Sequence, residues 1–289
     1  MDFTFGNFPS LFVGGVSSGI TYAGWATLGS PYPTGNSSYI APINSTDIVA
    51  YDAVADDLSM LRWGGSSFSQ VGNALSLVSG NTVGLVKLTE TRCAVLDNGA
   101  NRVRAYDWDG TDWVQVGNAL VKTMGNYPRA CYLSDNSIAL WDNAGSITKF
   151  TFDGTNWSQV GNTFSDPSNY SALAGMTDSR VAIHDTASDF IRAIDFDGTN
   201  WTQVGNSLNV LAQVGSFGIT ENSATQITYF DGASSIRTLA FDGTDWTNES
   251  TSSTLTGLSS WPRSLVKMSD TLIAYHSWGD ADIRAAESS

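Results

Sequence analysis

The chain has 289 residues, of which 28 are Asp or Glu and only 14 are Lys or Arg, so its formal charge is −14. A phosphate backbone is bound by clustered basic residues, and this imbalance excludes nucleic acid as a partner. Hydrophobic residues make up 42% and charged residues 15% of the chain, a mix that predicts a folded core rather than disorder. No apolar run reaches the roughly 20 residues of a membrane helix. Gly, Ser, Thr and Asn carry the polarity, which favours β-strands joined by many turns.

Residues 1–20 are predicted to form an apolar arm that ends in a Gly/Ser-rich hinge. We expect five of its side chains to anchor the protein to a larger assembly or to a neighbouring copy: Phe3, Phe5, Phe8, Leu11 and Phe12. The alternative is a strand packed on the outside of its own domain. The first basic residue is Arg62, so the sequence carries no positively charged region typical of a secretory signal peptide.

A repeat organises the rest of the chain. Trp-x-Gln-Val-Gly-Asn begins at Trp113, Trp157 and Trp201, with a variant at Phe68 and a degenerate copy at Trp246. These aromatic positions are 44 or 45 residues apart, and an Asp-Gly-Thr turn precedes the last four of them. Each unit divides into four short strands of alternating polarity, which we name a to d, and the Asp-Gly-Thr turn forms the c–d hairpin. Four antiparallel strands in about 44 residues indicate one blade of a β-propeller.

The two ends of the chain set the number of blades. The last unit stops after its strand c, while Trp25 opens a similar segment, Trp-Ala-Thr-Leu-Gly-Ser, in phase with the repeat. We therefore predict an all-β, six-bladed propeller in residues 21–289, whose ring is closed by an N-terminal strand that completes the last blade. The predicted blades span residues 37–73, 82–118, 127–162, 170–206, 215–249 and 261–289, with 21–30 added to the last.

The segment from Val103 to Asn118 contains Val-Arg-Ala-Tyr, then Asp-Gly-Thr-Asp-Trp-Val-Gln-Val-Gly-Asn, and resembles the Trp-x-Gln-Val-Gly repeats of large bacterial surface proteins. Those repeats are similar to FG-GAP propeller repeats, and such modules also occur in phage virion proteins. The resemblance covers residues 21–289 and implies an adhesive or structural role. A shared fold alone, however, is weak evidence for a shared function.

Few residues suggest chemistry. His184 and His276 occupy a strand-b slot that holds Tyr, Leu, Trp and Phe in the other blades, so both are predicted to pack in the core. Asp107-x-Asp109 and Asp195-x-Asp197 also admit a calcium loop, but the turn-forming role is favoured, and we predict no metal site and no cofactor. Cys93 and Cys131 are expected to be buried free thiols. No nucleophile–base pair stands at a useful spacing, so the sequence predicts a protein that is not an enzyme.

The predicted ligand-binding face lies where the d–a connections enter strand a. Aromatic and arginine side chains suited to stacking on a sugar or anchoring a partner gather there. The candidates are Tyr39, Tyr127, Arg129, Tyr170, Trp261, Arg263 and Trp278. Ordinary packing at a strand start is the alternative role. The opposite face carries acidic a–b turns and is expected to be a solvated surface: Glu90, Asp135, Asp178, Glu221 and Asp270.

Together these features favour a non-enzymatic virion protein used for attachment, such as a phage fibre, spike or capsid decoration protein. Its expected partners are other virion proteins, bound through the arm, and a host-surface glycan. We expect no insertion into a membrane, and the sequence leaves open whether the chain forms homo-oligomers. A secreted or cell-surface bacterial lectin or adhesin is the first alternative. A glycan-cleaving propeller enzyme is the second.

Overall fold

The computed structural model describes residues 25–35, 39–77, 82–125, 128–142, 145–165, 171–185, 188–210, 218–231, 235–248, 253–254, 262–277 and 280–288. Across these ranges the chain forms β-strands and turns, without a helix. No helix that could span a membrane is therefore found in the described part of the chain. The strands assemble into six antiparallel sheets arranged as a ring, which confirms the predicted six-bladed β-propeller.

Blades 1 to 3 follow the chain from Tyr39, each with its strands in the order a to d. Blade 1 contains β2 (Tyr39–Pro42), β3 (Asp47–Asp52), β4 (Asp57–Trp63) and β5 (Phe68–Ser76). Blade 2 contains β6 (Thr82–Thr89), β7 (Arg92–Asp97), β8 (Arg102–Trp108) and β9 (Trp113–Val121). Blade 3 contains β10 (Arg129–Ser134), β11 (Ser137–Asp142), β12 (Ser146–Phe152) and β13 (Trp157–Ser165).

Blades 4 to 6 complete the ring, and two of them depart from the pattern. Blade 4 contains β14 (Ser171–Gly175), β15 (Arg180–Asp185), β16 (Phe190–Phe196) and β17 (Trp201–Asn209). Blade 5 contains β18 (Ile219–Ser223), β19 (Gln226–Asp231), β20 (Ser235–Phe241) and a divided strand d, β21 (Trp246–Asn248) with β22 (Ser253–Thr254). Blade 6 contains β23 (Pro262–Lys267), β24 (Leu272–Ser277), β25 (Asp282–Ser288) and β1 (Trp25–Pro33).

Ring closure joins the two ends of the chain. β1 pairs with β25 in antiparallel register, with Ala26 opposite Glu287 and Leu28 opposite Ala285. An N-terminal strand thus completes the last blade, as predicted, although it runs to Pro33 rather than to residue 30. The strands a of successive blades contact one another around the whole ring and line the axis.

The Asp-Gly-Thr segments form the predicted c–d turns. In blade 2, Oδ1 of Asp109 accepts hydrogen bonds from the backbone N–H groups of Thr111 and Asp112, both at 2.8 Å. Gly110 supplies the left-handed backbone, with φ of 104°. The two N–H donors hold the pKa of the Asp109 carboxyl below its usual range.

Asp107 is engaged elsewhere, because both of its carboxylate oxygens accept hydrogen bonds from the Arg92 guanidinium. The two carboxylates of the Asp107-x-Asp109 pair therefore serve different partners and do not converge on one point. Each has a structural task within its blade, which favours the turn-forming role over a calcium loop.

The Val-Gly-Asn part of the repeat joins one blade to the next, and we call this contact the interblade latch. In blade 4 the backbone N–H of Asn206 donates to the Thr244 carbonyl of blade 5 at 2.7 Å. In blade 3 Asn162 does the same to Thr199 at 2.6 Å, and its amide also donates to Oδ1 of Asn200 at 2.8 Å. The latch lies in a β-bulge of strand d, which turns these donors out of the sheet towards the neighbouring blade.

Close approach requires glycine at the latch. Gly161 has φ of 68°, and a Cβ there would lie 2.4 Å from the Thr199 carbonyl oxygen and 2.7 Å from the Phe196 ring. The same backbone hydrogen bond recurs at three other junctions: Asn73 N to Thr111 O (2.8 Å), Asn118 N to Thr155 O (2.6 Å) and Ser30 N to Ser66 O (2.9 Å). Strands β25 and β1 come from opposite ends of the chain, so blade 6 has no c–d turn for blade 5 to hold.

We predict that Gly161→Ala lowers the free energy of unfolding by about 2–4 kcal/mol, because a left-handed alanine is strained and its methyl group would push the turn of blade 4 away. Chemical denaturation of the purified variant measures this. Gly64→Ala is the matched control, since its Cβ would meet only the Ser67 carbonyl oxygen, at 3.6 Å. A Gly161→Ala protein as stable as the Gly64→Ala protein would contradict the role assigned to the latch.

Candidate functional site

A central channel runs between the six inner strands. It encloses about 470 Å³ and is lined by residues from all six blades. Its wall combines apolar side chains, such as Ile40, Leu85, Leu173, Ile219 and Leu265, with a comparable amount of polar surface. Ionisable groups lie mainly towards the end that carries the a–b turns. A concavity that combines apolar side chains with convergent polar groups is the usual form of a small-ligand site.

One slot of strand a supplies most of these polar groups, and we call it the axial slot. It precedes a residue that is buried in every blade, which fixes the alignment: Ile43, Leu88, Leu133, Met176, Asn222 and Met268. Across the six blades the slot holds Pro42, Lys87, Tyr132, Gly175, Glu221 and Lys267. Every one of them except Gly175 lines the channel. Four of six blades thus present a polar side chain at one level of the axis.

Lys87 and Tyr132 form one half of this level. Nζ of Lys87 donates to Oε1 of Glu90 at 2.6 Å and lies 5.7 Å from the centre of the Tyr132 ring. The Tyr132 hydroxyl donates to Oδ1 of Asp135 at 2.9 Å. Burial, followed by that hydrogen bond, raises the pKa of Tyr132 to about 12, so its hydroxyl remains a donor at neutral pH.

Glu221 and Lys267 form the other half. Nζ of Lys267 donates to the Asn222 carbonyl at 2.5 Å and to Oδ1 of Asp270 at 2.8 Å. The Thr220 hydroxyl donates to Oε2 of Glu221 at 3.2 Å. Burial raises the pKa of Glu221, and the positive charges of Lys267 and Lys87 oppose that rise.

The arrangement suits a ligand that both donates and accepts hydrogen bonds. Lys87 and Lys267 are only 17% and 20% exposed, and each is already bonded to a carboxylate. The opening thus holds two ammonium groups and four carboxyl groups, Glu90, Asp135, Glu221 and Asp270, so it offers donors and acceptors together with an excess of carboxyl groups. Such a surface matches several hydroxyl groups at once better than it matches an anionic ligand.

The sequence-based candidates fall at the other end of the channel or outside the described residues. Tyr39 and Arg129 line the same channel, Tyr39 packs partly against the core between blades 1 and 2, and Nη1 of Arg129 donates to the Pro128 carbonyl. Arg263 lies on β23, but its side chain is outside the described part. The remaining ligand candidates are also outside it: Tyr127, Tyr170, Trp261 and Trp278. So are the five arm residues: Phe3, Phe5, Phe8, Leu11 and Phe12.

Glu221 was assigned to the wrong position by the sequence analysis. It lies on β18 facing the channel, and the a–b turn slot of blade 5 is Ala224. The turn acids Glu90 and Asp135 stand seven residues before the Asp that ends strand b, whereas Glu221 stands ten residues before Asp231 and so falls within the strand. Lys87, Tyr132 and Lys267 were not recognised, although comparing strand a slot by slot would have revealed them as polar exceptions on an apolar strand.

The strand-b histidine slot is a packing position, as predicted. His184 and His276 are 1% and 0% exposed, and the equivalent residues of the other blades are buried as well: Tyr51, Leu96, Trp141 and Phe230. Within the described ranges no three His, Cys, Asp or Glu side chains lie close enough together to hold a metal ion. Cys93 and Cys131 are buried free thiols, which confirms that prediction.

Comparison with known proteins shows the fold. No protein-family model matches the chain, and no curated protein sequence does. A streptogramin B lyase is 12% identical with a TM-score of 0.62, over 93% of this chain and 99% of that one. Virginiamycin B lyase from Staphylococcus aureus is 12% identical with a TM-score of 0.57, over 90% and 85%. SapL1 lectin in complex with alpha methyl fucoside is 17% identical with a TM-score of 0.57, over 85% and 89%.

These structures overturn one expectation. The sequence predicted a protein that is not an enzyme, and this prediction is contradicted by the two lyases that share the fold. The inference rested on a missing nucleophile–base pair along the sequence. Residues from separate blades meet at the axis of a propeller, so spacing along the chain is a poor guide to what the axis can do.

We predict that His184→Leu, which installs the residue found in the same slot of blade 2, makes stability less sensitive to acid. Burial lowers the pKa of His184, although Asp189 and Asp185 oppose the shift. The unfolded chain therefore binds the proton more readily, and stability present above the unfolded pKa of about 6.5 is lost as pH falls, by up to about 1.4 kcal/mol per pH unit.

Denaturation curves at pH 8 and at pH 5 measure this effect. At pH 8 the histidine is neutral in both states, so any difference between the two proteins there reports packing alone. The wild-type protein should lose more stability than His184→Leu between the two pH values. Equal losses would show that His184 does not carry the acid sensitivity.

Proposed function

We propose that this propeller is an attachment protein that binds a carbohydrate at the Lys87 end of its central channel. The observation that carries the proposal is the axial slot. Slots that hold the ring together repeat from blade to blade, whereas this slot changes from Lys to Tyr to Glu at one level of the channel. Repeats are free to diverge where a position serves a ligand rather than the fold.

Carbohydrate is the ligand class that the local chemistry favours. The Glu221 carboxyl and the carboxylates bonded to the two lysines accept hydrogen bonds from hydroxyl groups, while the ammonium groups donate. The side chains are held by bonds already present, which lowers the entropy lost on binding. The SapL1 lectin supports the proposal because it places this fold in complex with a monosaccharide glycoside.

The proposal also includes where the protein is located. We infer a virion or a cell surface, because the chain carries its polarity on Ser, Thr, Asn and Gly with few charges, and because its repeat resembles surface and virion modules. A secreted lectin is the other setting in which the same site would serve. The apolar arm is the proposed anchor to the larger assembly.

Binding is tested on a glycan array, followed by calorimetry with the best ligand. Glu221→Gln and Lys87→Met should each weaken binding by about tenfold to a hundredfold, since each removes a charged hydrogen-bonding group from a partly buried site. Asp178→Asn is the matched control, because this exposed acid lies in the a–b turn of blade 4, whose axial slot is Gly175 and offers no polar side chain.

Thermal melting of each variant verifies that it remains folded. Unchanged affinity in Glu221→Gln and Lys87→Met would place the glycan elsewhere on the propeller. A wild-type protein that binds no glycan on the array would reject carbohydrate as the ligand class.

The proposed anchor is tested by deleting residues 1–14. The truncated protein should no longer co-sediment with the native particle or surface from which the full chain is isolated, because the apolar contacts of the arm are lost. Its melting temperature should stay close to that of the full chain, since the ring starts at β1. Retention of the truncated protein on the particle would refute the anchor.

A further inference from the structure

The outer half of blade 2 departs from the repeat at three slots. Arg102 stands where the other blades have Asp57, Ser146, Phe190, Ser235 and Asp282. Val114 and Val121 stand on strand d, where blades 1, 3 and 4 have Ser, Thr or Asn. These valines are 51% and 75% exposed. None of the three slots takes part in the latch or the core, so the ring does not require these residues.

A cleft opens beside these residues between blades 1 and 2. It is a groove open to solvent with a volume of about 430 Å³, bounded on blade 1 by residues 75–77 and on blade 2 by Arg102, Arg104, Tyr106 and Gln115. Strand d bulges opposite Arg104, where the register shifts between Val103 and Ala105. The same bulge occurs in blades 1, 3 and 4, so the residues that line the cleft, rather than the bulge, distinguish blade 2.

The two arginines of the cleft have different roles. Nη2 of Arg104 lies 3.2 Å from Oδ2 of Asp97, a carboxylate that is fully buried, so its charge is balanced. The same arginine position is paired with an acid in blades 4 and 6, which makes it part of the blade. The guanidinium of Arg102 has no hydrogen-bond or ion-pair partner within the described part of the chain, and the side chain is exposed. The cleft therefore carries one unbalanced guanidinium.

An exposed apolar side chain, Val121, stands beside Arg102, just outside the residues that line the cleft. It lies directly opposite Arg102 in the pairing of β8 with β9, so the two side chains share one face of the blade. Gln115 adds an exposed amide on the same strand as Val121. Asp97 is directly opposite Arg102 in the pairing of β7 with β8, but its buried carboxylate is paired with Arg104. Asp57, which is opposite Ser76 in the pairing of β4 with β5, does not line the cleft.

We propose that the cleft between blades 1 and 2 binds an oxyanion, a carboxylate or a sulfate, carried on a ligand whose apolar part covers Val121. The planar fork of Arg102 matches two oxygens of such a group, and the Gln115 amide provides a further donor. This site is separate from the channel, and it does not depend on the proposed carbohydrate function.

The test uses small probes and variants that borrow residues from other blades. Benzoate and benzenesulfonate present the two anion types on an apolar ring, and benzamide is their neutral counterpart. Binding is followed by protein NMR, in which the amide signals of residues 102–121 should shift saturably with at least one anion and not with benzamide. The stronger of the two anions identifies the oxyanion type.

Arg102→Ser, which installs the residue of blades 3 and 5, should weaken anion binding by about tenfold or more. Val121→Ser should weaken it several-fold, and Val114→Ser, at the far end of the same strand, is the matched control and should bind like the wild type. Because serine already occupies these slots in neighbouring blades, all three variants are expected to fold. Equal binding by Arg102→Ser, or no saturable shift with either anion, would overturn the proposal.

Discussion

Blades 1 to 5 of this propeller are each held by the preceding blade through a backbone hydrogen bond that depends on a glycine-containing bulge. The bulge brings the Asn N–H of one blade to the Thr carbonyl of the next, and the left-handed glycine removes the methyl group that would block the approach. Sheets packed face to face otherwise rely on nondirectional apolar contact. The latch adds direction and register to that contact, and so fixes how far each blade is rotated from the last.

This constraint explains the pattern of the repeat, including its failures. The Trp-x-Gln-Val-Gly-Asn motif is present in blades whose strand d binds the c–d turn of the next blade. It degenerates after Trp246, because the next blade has no such turn, and blade 5 divides its outer strand there. In β1, by contrast, Gly29 and Ser30 retain the latch towards blade 1. A motif that looks like a binding signature is thus largely a requirement of assembly.

Function can then occupy the slots that assembly leaves free. The axial slot faces the channel and takes no part in the interblade latch, although Lys267 and Lys87 reach the neighbouring blade and a Cβ at Gly175 would collide with the Tyr132 carbonyl. The outer slots at Arg102 and Val121 are free for the same reason. Both sites are made of departures from the repeat, which is how a ring of similar blades acquires distinct surfaces.

Much of the fold was predictable from the sequence, because spacing, turn residues and strand alternation are local signals that repeat. The closing strand and the packing role of His184 followed from aligning the units. The axial site was not predictable in the same way, since strand a has no motif and Glu221 resembled a turn acid although it stands three residues too early in its blade. The expectation of no enzymatic activity failed because it looked for partners along the chain, whereas a propeller gathers them around its axis.

Closure by β1 also has a kinetic consequence. During synthesis this strand is among the first segments of the propeller to leave the ribosome, yet its partner β25 is the last, so its hydrogen-bonding groups must wait for the whole chain. Contacts of such large sequence separation are slow to form, and an unpaired edge invites pairing with another molecule. Because β1 carries few charges, electrostatic repulsion does little to prevent it from pairing with another chain during that interval. A low protein concentration or chaperones would therefore increase the fraction of chains that pair β1 with their own β25.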